Sequence, residues 1–232
     1  MLFVSGDVHG NMREIQRIID WAKNQNLTKN DYLVLLGDFL VPKFKNMSKE
    51  YDTFDFWEKF PCQVLFVDGN HENFEDLNKM PIETWNGGLV HKVGNNILHL
   101  MRGQVFTIDG HKIFTMGGAK TIDRHRRIEG VDWFREEDIS YNETNIALDN
   151  LAKVNNVVDY IFTHTVGKEF ISKKINKTYE SPDSYSGSIN NFLDYINDII
   201  NYKDWYFGHF HFDEDFEETN LHCVYKNVIR LF

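Results

Sequence analysis

The chain has 232 residues, 42% of them hydrophobic, and a formal net charge of −10. That length and apolar fraction fit one folded domain over 1–232 and exclude a disordered polymer. The acidic balance argues against a general polyanion-binding surface, though not against a local cationic site.

Cys62 and Cys223 lie far apart in apolar surroundings and read as two buried, reduced thiols. The N-terminus runs straight into Leu2-Phe3-Val4-Ser5, with no basic segment ahead of a long apolar one, so no signal peptide is expected. No apolar run reaches the roughly 18 residues a membrane span needs. The expectation is a cytoplasmic protein that does not enter the membrane.

In chain order, Leu2–Ser5 predicts a buried strand. Asn11 then predicts a helix cap, with Ile15, Ile18, Ile19 and Ala22 at helical spacing. Tyr32–Leu36 is a second strand, ending at Gly37-Asp38. Tyr51–Phe60 predicts a helix stopped by Pro61, and Gln63–Val67 a third strand, ending at Asp68-Gly69-Asn70-His71. This alternation is the signature of parallel crossover units. From Gly87 to Gly118, short apolar runs separated by Gly and Asn pairs predict an antiparallel meander, with a hairpin turn at Asp109-Gly110. Glu143–Val154 has a helical pattern and Val157–Thr163 reads as a buried strand. Thr165–Ser188 is polar, carries Ser181-Pro182-Asp183, and predicts a long loop with a possible lid role. Ser188 can cap a helix carrying Ile189, Phe192, Leu193 and Ile196. Trp205-Tyr206-Phe207 leads into Gly208-His209, and Leu221–Val224 with Val228–Leu231 predicts a closing hairpin.

Several apolar runs are followed at once by small metal-binding side chains: Asp7-Val8-His9-Gly10, Gly37-Asp38, Gly69-Asn70-His71-Glu72, His164 and Gly208-His209-Phe210-His211. A parallel sheet delivers its strand ends to one edge, so ligands distant in sequence can meet there. Asp7, His9, Asp38, Asn70, His164, His209 and His211 are candidate ligands. All are oxygen or imidazole donors, a set suited to Mn, Fe, Zn, Co or Ni and poorly suited to Mg or Ca. Seven donors exceed the need of one four-coordinate ion and suffice for two ions sharing a carboxylate. Two divalent ions against two aspartates leave about +2, which attracts an anionic phosphate. A water between two such ions is expected to lose its proton near neutral pH and attack in line. His71, next to Asn70, is poorly placed for the same ion. It is better placed to reach the leaving-group oxygen or a non-bridging phosphate oxygen, as general acid or transition-state stabiliser.

Asp-x-His-Gly, Gly-Asp, Gly-Asn-His-Glu, a lone strand-end His and Gly-His-x-His, in this order, resemble the calcineurin-like metallophosphoesterase superfamily, from Asp7 to His211. The likeness implies an α/β fold, a two-sheet sandwich flanked by helices, with a dinuclear centre at the sheet edges. It further implies Asp7, His9 and His211 on one ion, Asn70, His164 and His209 on the other, Asp38 bridging, and Mn as the leading metal. Protein phosphatases of the superfamily follow Gly-Asp with an acidic-Arg-Gly element. Here Phe39-Leu40-Val41-Pro42 follows, which argues against a phosphoprotein substrate.

Arg124, Arg126 and Arg127 have two readings: a solvated loop offsetting Glu129, Glu136 and Glu137, or a clamp on substrate phosphate. His91, His99, His111, His125 and His222 read as ordinary surface or core residues. Asp68 and Glu72 read as turn residues or supports of the ligands. The expected activity is metal-dependent hydrolysis of a phosphomonoester or phosphodiester, small-molecule or nucleotide-like. The alternatives are a nuclease-type phosphodiesterase on DNA or RNA, which the acidic composition disfavours, and a non-catalytic scaffold. Oligomeric state is not legible.

Overall fold

A computed structural model describes residues 1–39, 50–175, 187–216 and 218–232. Strands β1 (Leu2–Ser5), β2 (Tyr32–Leu36) and β3 (Gln63–Val67) pair in parallel. They are covered on both faces, which is why each reads as a continuous apolar run. Between them, α1 (Met12–Ala22) starts where the Asn11 side chain accepts the Arg13 N–H, and α2 (Glu50–Glu58) ends ahead of Pro61.

After β3 come the single turn α3 (Phe74–Leu77), then β4 (Ile82–Trp85), β5 (Gly88–Lys92) and β6 (Ile97–Leu100). The chain then changes sheet. β7 (Gln104–Ile108) and β8 (His111–Met116) form the hairpin expected around Asp109-Gly110. The helix α4 (Tyr141–Lys153), strand β9 (Tyr160–Thr163), short helix α5 (Lys168–Phe170), helix α6 (Ser188–Ile199) and strand β10 (Asp204–Phe207) follow. β11 (Glu214–Phe216), β12 (Leu221–Cys223) and β13 (Val228–Arg230) complete the chain. Among the described residues, one sheet has the order β13-β1-β2-β3-β6-β5-β4 and the other β11-β12-β10-β9-β8-β7.

Side-chain alternation sorts the apolar residues into three layers. Leu2, Val4, Val34 and Leu36 point one way and pack on Phe106, Ile113, Phe162 and Tyr206 between the sheets. Phe3, Leu33 and Leu35 point the other way, under Ile15 and Ile18 of α1 and Trp57 of α2. On the far face of the second sheet, Phe114, Ile161 and Phe207 meet Leu151 of α4 and Ile189, Leu193 and Ile196 of α6. The result is the helix-flanked two-sheet sandwich expected from the sequence. Cys62 and Cys223 are both free and buried. No helix among the described residues is long and apolar enough to cross a membrane.

Three expectations need correction. The 87–118 meander is split, because β6 pairs parallel with β3 while β8 pairs parallel with β9. The tail is not a hairpin: β12 pairs with β10 and β11, whereas β13 crosses to the other sheet and pairs with β1. Thr165–Ser188 is not all loop, since Lys168–Phe170 is helical and Ile171–Ile175 continues as a π-helical turn. Its Ser181-Pro182-Asp183 turn, and Leu40-Val41-Pro42, lie outside the described residues. Two helix starts also differ slightly. α4 begins two residues early because Ser140 and Glu143 form a reciprocal capping box, and Gly187 rather than Ser188 takes the cap position of α6.

Candidate metal centre

The strand ends of both sheets meet at one edge. β1 delivers Asp7 and His9, β2 delivers Asp38, β3 delivers Asn70 and His71, β9 delivers His164, and β10 delivers His209 and His211. The turns that aim them are unusual. His9, Asp38, His209 and His211 all have positive φ, between 48° and 71°, in the left-handed region that non-glycine residues occupy at a cost. Two glycines permit the close approach. A Cβ on Gly208 would strike the Asp7 carboxylate, and one on Gly37, at φ +99°, would strike the His164 ring.

Each carboxylate divides its work. Asp7 Oδ1 accepts the His209 backbone N–H at 3.0 Å, and Asp38 Oδ1 accepts that of His71 at 2.8 Å. The second oxygens face the imidazoles. Asp7 Oδ2 lies 3.1 Å from His211 Nε2 and 3.7 Å from His9 Nε2. Asp38 Oδ2 lies 3.6 Å from His9 Nε2 and 3.4 Å from His164 Nε2.

The remaining donors converge on the same space. His164 Nδ1–H donates to the Leu36 carbonyl at 2.7 Å, which turns Nε2 toward His209 Nδ1 and Asn70 Oδ1, each 3.2 Å away. Asn70 presents its oxygen because its Nδ2 donates to Thr121 Oγ1 at 3.0 Å, and that hydroxyl donates to Glu137 at 2.7 Å. His9 Nε2 and His211 Nε2 stand 3.0 Å apart. Asp7, His9 and His211 form one group with ligand atoms in reach of a single ion, and Asp7, Asp38 and His164 form another.

The electrostatics call for cations. Asp7 and Asp38 are fully buried. Burial opposes their charge, yet chiefly through His164 both carboxyls are held below the usual range. Burial likewise opposes charge on His164, but Asp38 and Asp7 raise its pKa to about 10. The two buried carboxylates thus demand positive charge beside them. Oxygen and imidazole lone pairs aimed inward, fixed from behind by backbone groups and Thr121, fit divalent transition-metal ions taking over that role.

A cleft of about 320 Å3 opens above this cluster, lined by His71, Thr121, Ile122, Asp123 and Arg127 as well as five of the ligand candidates, His9, Asp38, Asn70, His209 and His211. Burial lowers the pKa of His71 more than Asp38 raises it. The three arginines separate. Arg127 lines the cleft, held by Asp123 Oδ1 at 2.6 Å and the Asp132 carbonyl at 3.2 Å. Arg124 turns to the buried Glu137, with Nε at 2.6 Å, and stacks over Trp133 at 4.7 Å. Arg126 is exposed and is not among the cleft-lining residues.

Sequence reasoning missed Thr121, Glu137 and Tyr225, whose ring stacks on His211 at 4.8 Å. A lone Thr, Glu or Tyr in a loop carries no spacing signal. Glu72 does support the ligand loops: its Oε1 accepts from Phe39 N at 2.8 Å and Gly69 N at 3.4 Å. Asp68 is buried in a pairing with His99 and Arg102.

A family model, calcineurin-like phosphoesterase, matches residues 2–213. Relatives include a lariat debranching enzyme of Danio rerio, 26% identical over 177 residues, covering 69% of this chain and 30% of the relative. That of Homo sapiens is 24% identical over 177 residues, covering 69% of this chain and 31% of the relative. That of Entamoeba histolytica is 22% identical, covering 97% of this chain and 70% of the relative. The chain thus spans about a third of the length of the Danio rerio and human relatives. With the match running from the first strand to beyond His211, the chain belongs to the calcineurin-like phosphoesterase family.

Proposed function

We propose that this protein is a metal-dependent phosphodiesterase acting on a branched nucleic acid. The observation that carries the chemistry is the buried cluster at the cleft floor, with His71 and Arg127 on the walls above it. Asp7, His9 and His211 would hold one ion, and Asn70, His164 and His209 a second, with Asp38 shared; Mn suits this mixed oxygen and imidazole set. When bound, the ions supply Lewis acidity that polarises a phosphate and makes a water acidic enough to attack near neutral pH.

The chain's own groups do the rest. The Arg127 guanidinium matches a non-bridging phosphate oxygen and holds the diester in the cleft. His71 is anchored through its backbone N–H on Asp38, so its ring is set by the same carboxylate the cluster shares. It donates a hydrogen bond to the departing oxygen as the ester bond breaks.

The names of the relatives support a branched substrate, and the departure from the protein-phosphatase pattern after Asp38 supports a non-protein one. The net charge of −10 makes contact outside the cleft weak, so recognition must be concentrated at the branch. The two buried thiols fit a reducing compartment such as the cytoplasm. The test compares the Mn-loaded protein on a branched oligonucleotide, its linear counterpart and bis(p-nitrophenyl) phosphate. Faster cleavage at the branch is expected. Hydrolysis of the small ester alone returns the substrate to the small-molecule class, and turnover of none of the three rejects the enzyme reading.

A further inference from the structure

Just after β12, Tyr225, Lys226 and Asn227 have every backbone polar group engaged. The Asp213 carboxylate accepts their three N–H groups, from Tyr225 at 2.9 Å and from Lys226 and Asn227 at 3.0 Å each. Ser5 Oγ donates to the Asn227 carbonyl at 2.9 Å, and Arg17 donates to the carbonyls of Lys226 and Tyr225. Gly6 lets this turn lie against the end of β1, since a Cβ there would strike the Val224 carbonyl and Tyr225 Cα. What the turn holds in place is one aromatic ring. Tyr225, partly exposed, stacks on His211 with centroids 4.8 Å apart and planes at 18°, and His211 lines the metal cleft.

The charges around that ring leave two cations over. Those whose fields reach Tyr225 include Arg13, Arg17, Glu14 and Asp7. Glu14 is taken by Arg17 at 3.1 Å, Asp7 belongs to the metal cluster, and Asp213 is filled by the three N–H groups. Arg17 is filled in turn by Glu14, Ser5 and the two carbonyls. Arg13, in the first turn of α1 and four residues after His9, is exposed, as is Lys226. Neither of these side-chain cations has an ion-pair partner among the described residues. Lys226 Nζ rests over the Tyr225 ring, 5.6 Å from its centroid, on a flexible stem.

An aromatic face beside unpaired cations suits a nucleotide: the ring takes the base and the cations take phosphate. A free phosphate would make no use of the ring, and an apolar ligand none of the cations. We propose that Tyr225, Lys226 and Arg13 form a nucleotide subsite beside the metal centre, where one base of the substrate stacks on the Tyr225 ring and Lys226 and Arg13 meet the neighbouring phosphate. This rests on the nucleic-acid reading above and gives it a place for a base. None of the three residues lines the cleft, whereas Arg127 does, so the two sets of cations serve different phosphates. As the base arrives, the Lys226 ammonium leaves the ring face for a phosphate oxygen. The subsite accepts any base, because every base has a face to stack.

The test measures binding at equilibrium, so it decides the subsite even if the protein hydrolyses none of the esters named above. Zn-loaded protein, which is diamagnetic, is titrated with adenosine 5′-monophosphate and with ribose 5-phosphate, which has the same phosphate and no base. The nucleotide is expected to bind about tenfold tighter, the range for one stacked base. Tyr225→Ala should erase that preference and Tyr225→Phe should keep it; the ratio of two ligands cancels any disturbance of His211 or of the bound metal. A second phosphate, in adenosine 3′,5′-bisphosphate, should add about threefold, and Arg13→Ala with Lys226→Ala should cancel that gain. In the wild type, the adenine protons should move upfield saturably and show cross-relaxation with the Tyr225 ring, which decides the matter if Tyr225→Ala does not fold. Equal binding of the nucleotide and the sugar phosphate, a preference that survives Tyr225→Ala, or an adenine that never contacts the Tyr225 ring would overturn the proposal.

Discussion

Gly37→Ala puts one methyl group into the most crowded part of the site. The new Cβ would lie 2.9 Å from His164 Cβ and closer still to the ring, where ordinary contact starts at 3.4 Å. The His164 side chain must retreat by roughly half an ångström or more, yet it is fully buried and tied to the Leu36 carbonyl at 2.7 Å. A left-handed backbone with a Cβ costs about 1–2 kcal/mol, and stretching or losing a buried hydrogen bond about 1–3 kcal/mol. The expected loss of stability is therefore about 2–5 kcal/mol. Because the moved ring is also a proposed ligand, folded protein should lose metal as well. Urea unfolding gives the first quantity and elemental analysis of the folded fraction the second. A variant with unchanged midpoint and full metal content would refute the claim that the turn at Gly37 exists to admit His164.

Other substitutions separate roles within the site. His71→Gln should lower kcat about 10²–10⁴-fold with metal content unchanged, because its backbone contact to Asp38 survives; stopped assays and metal analysis read both. The three arginines should behave differently. Arg127→Ala should raise KM, Arg126→Ala should change neither activity nor stability, and Arg124→Ala should cost about 1–3 kcal/mol by leaving buried Glu137 without its cation. His91 gives a pH signature. Burial, then His99, lowers its pKa from 6.5 to about 4, so the unfolded chain binds a proton that the folded one refuses. Stability should fall as pH drops from 6.5 to about 4, by at most about 3 kcal/mol, and then level off. Denaturation of wild type and His91→Phe across that window should show a steeper slope in wild type, because His71 and His209 contribute to both curves; parallel curves would contradict it.

The parts of the fold legible in the sequence are those whose physics is local. β1, β2 and β3 are sandwiched between helices and a second sheet, so their residues are apolar without interruption and stand out at full length. The ligand candidates were legible because each follows such a strand directly. What escaped depends on which partner a strand chooses. β4 is an edge strand with Ile82, Glu83 and Thr84 exposed, so it lacks an apolar face to betray it. Val228–Arg230 and Leu221–Cys223 resemble the arms of a hairpin because turn residues separate them. The choice between sheets is made by distant contacts, with Phe3↔Arg230 on one side and Phe207↔Cys223 on the other. The ranking of the three arginines was likewise hidden, since it follows from Glu137 being buried beside Thr121, a fact of tertiary packing.

The central claim is that donors drawn from five strand ends seat two cations around one shared Asp38 carboxylate. Diffraction data collected on either side of the Mn absorption edge, from crystals of Mn-loaded protein, test it directly. The account predicts two anomalous peaks per chain, both within bonding distance of Asp38, with Asn70 and His164 on one side and His9 and His211 on the other. A single peak, or two peaks that do not share Asp38, would contradict it.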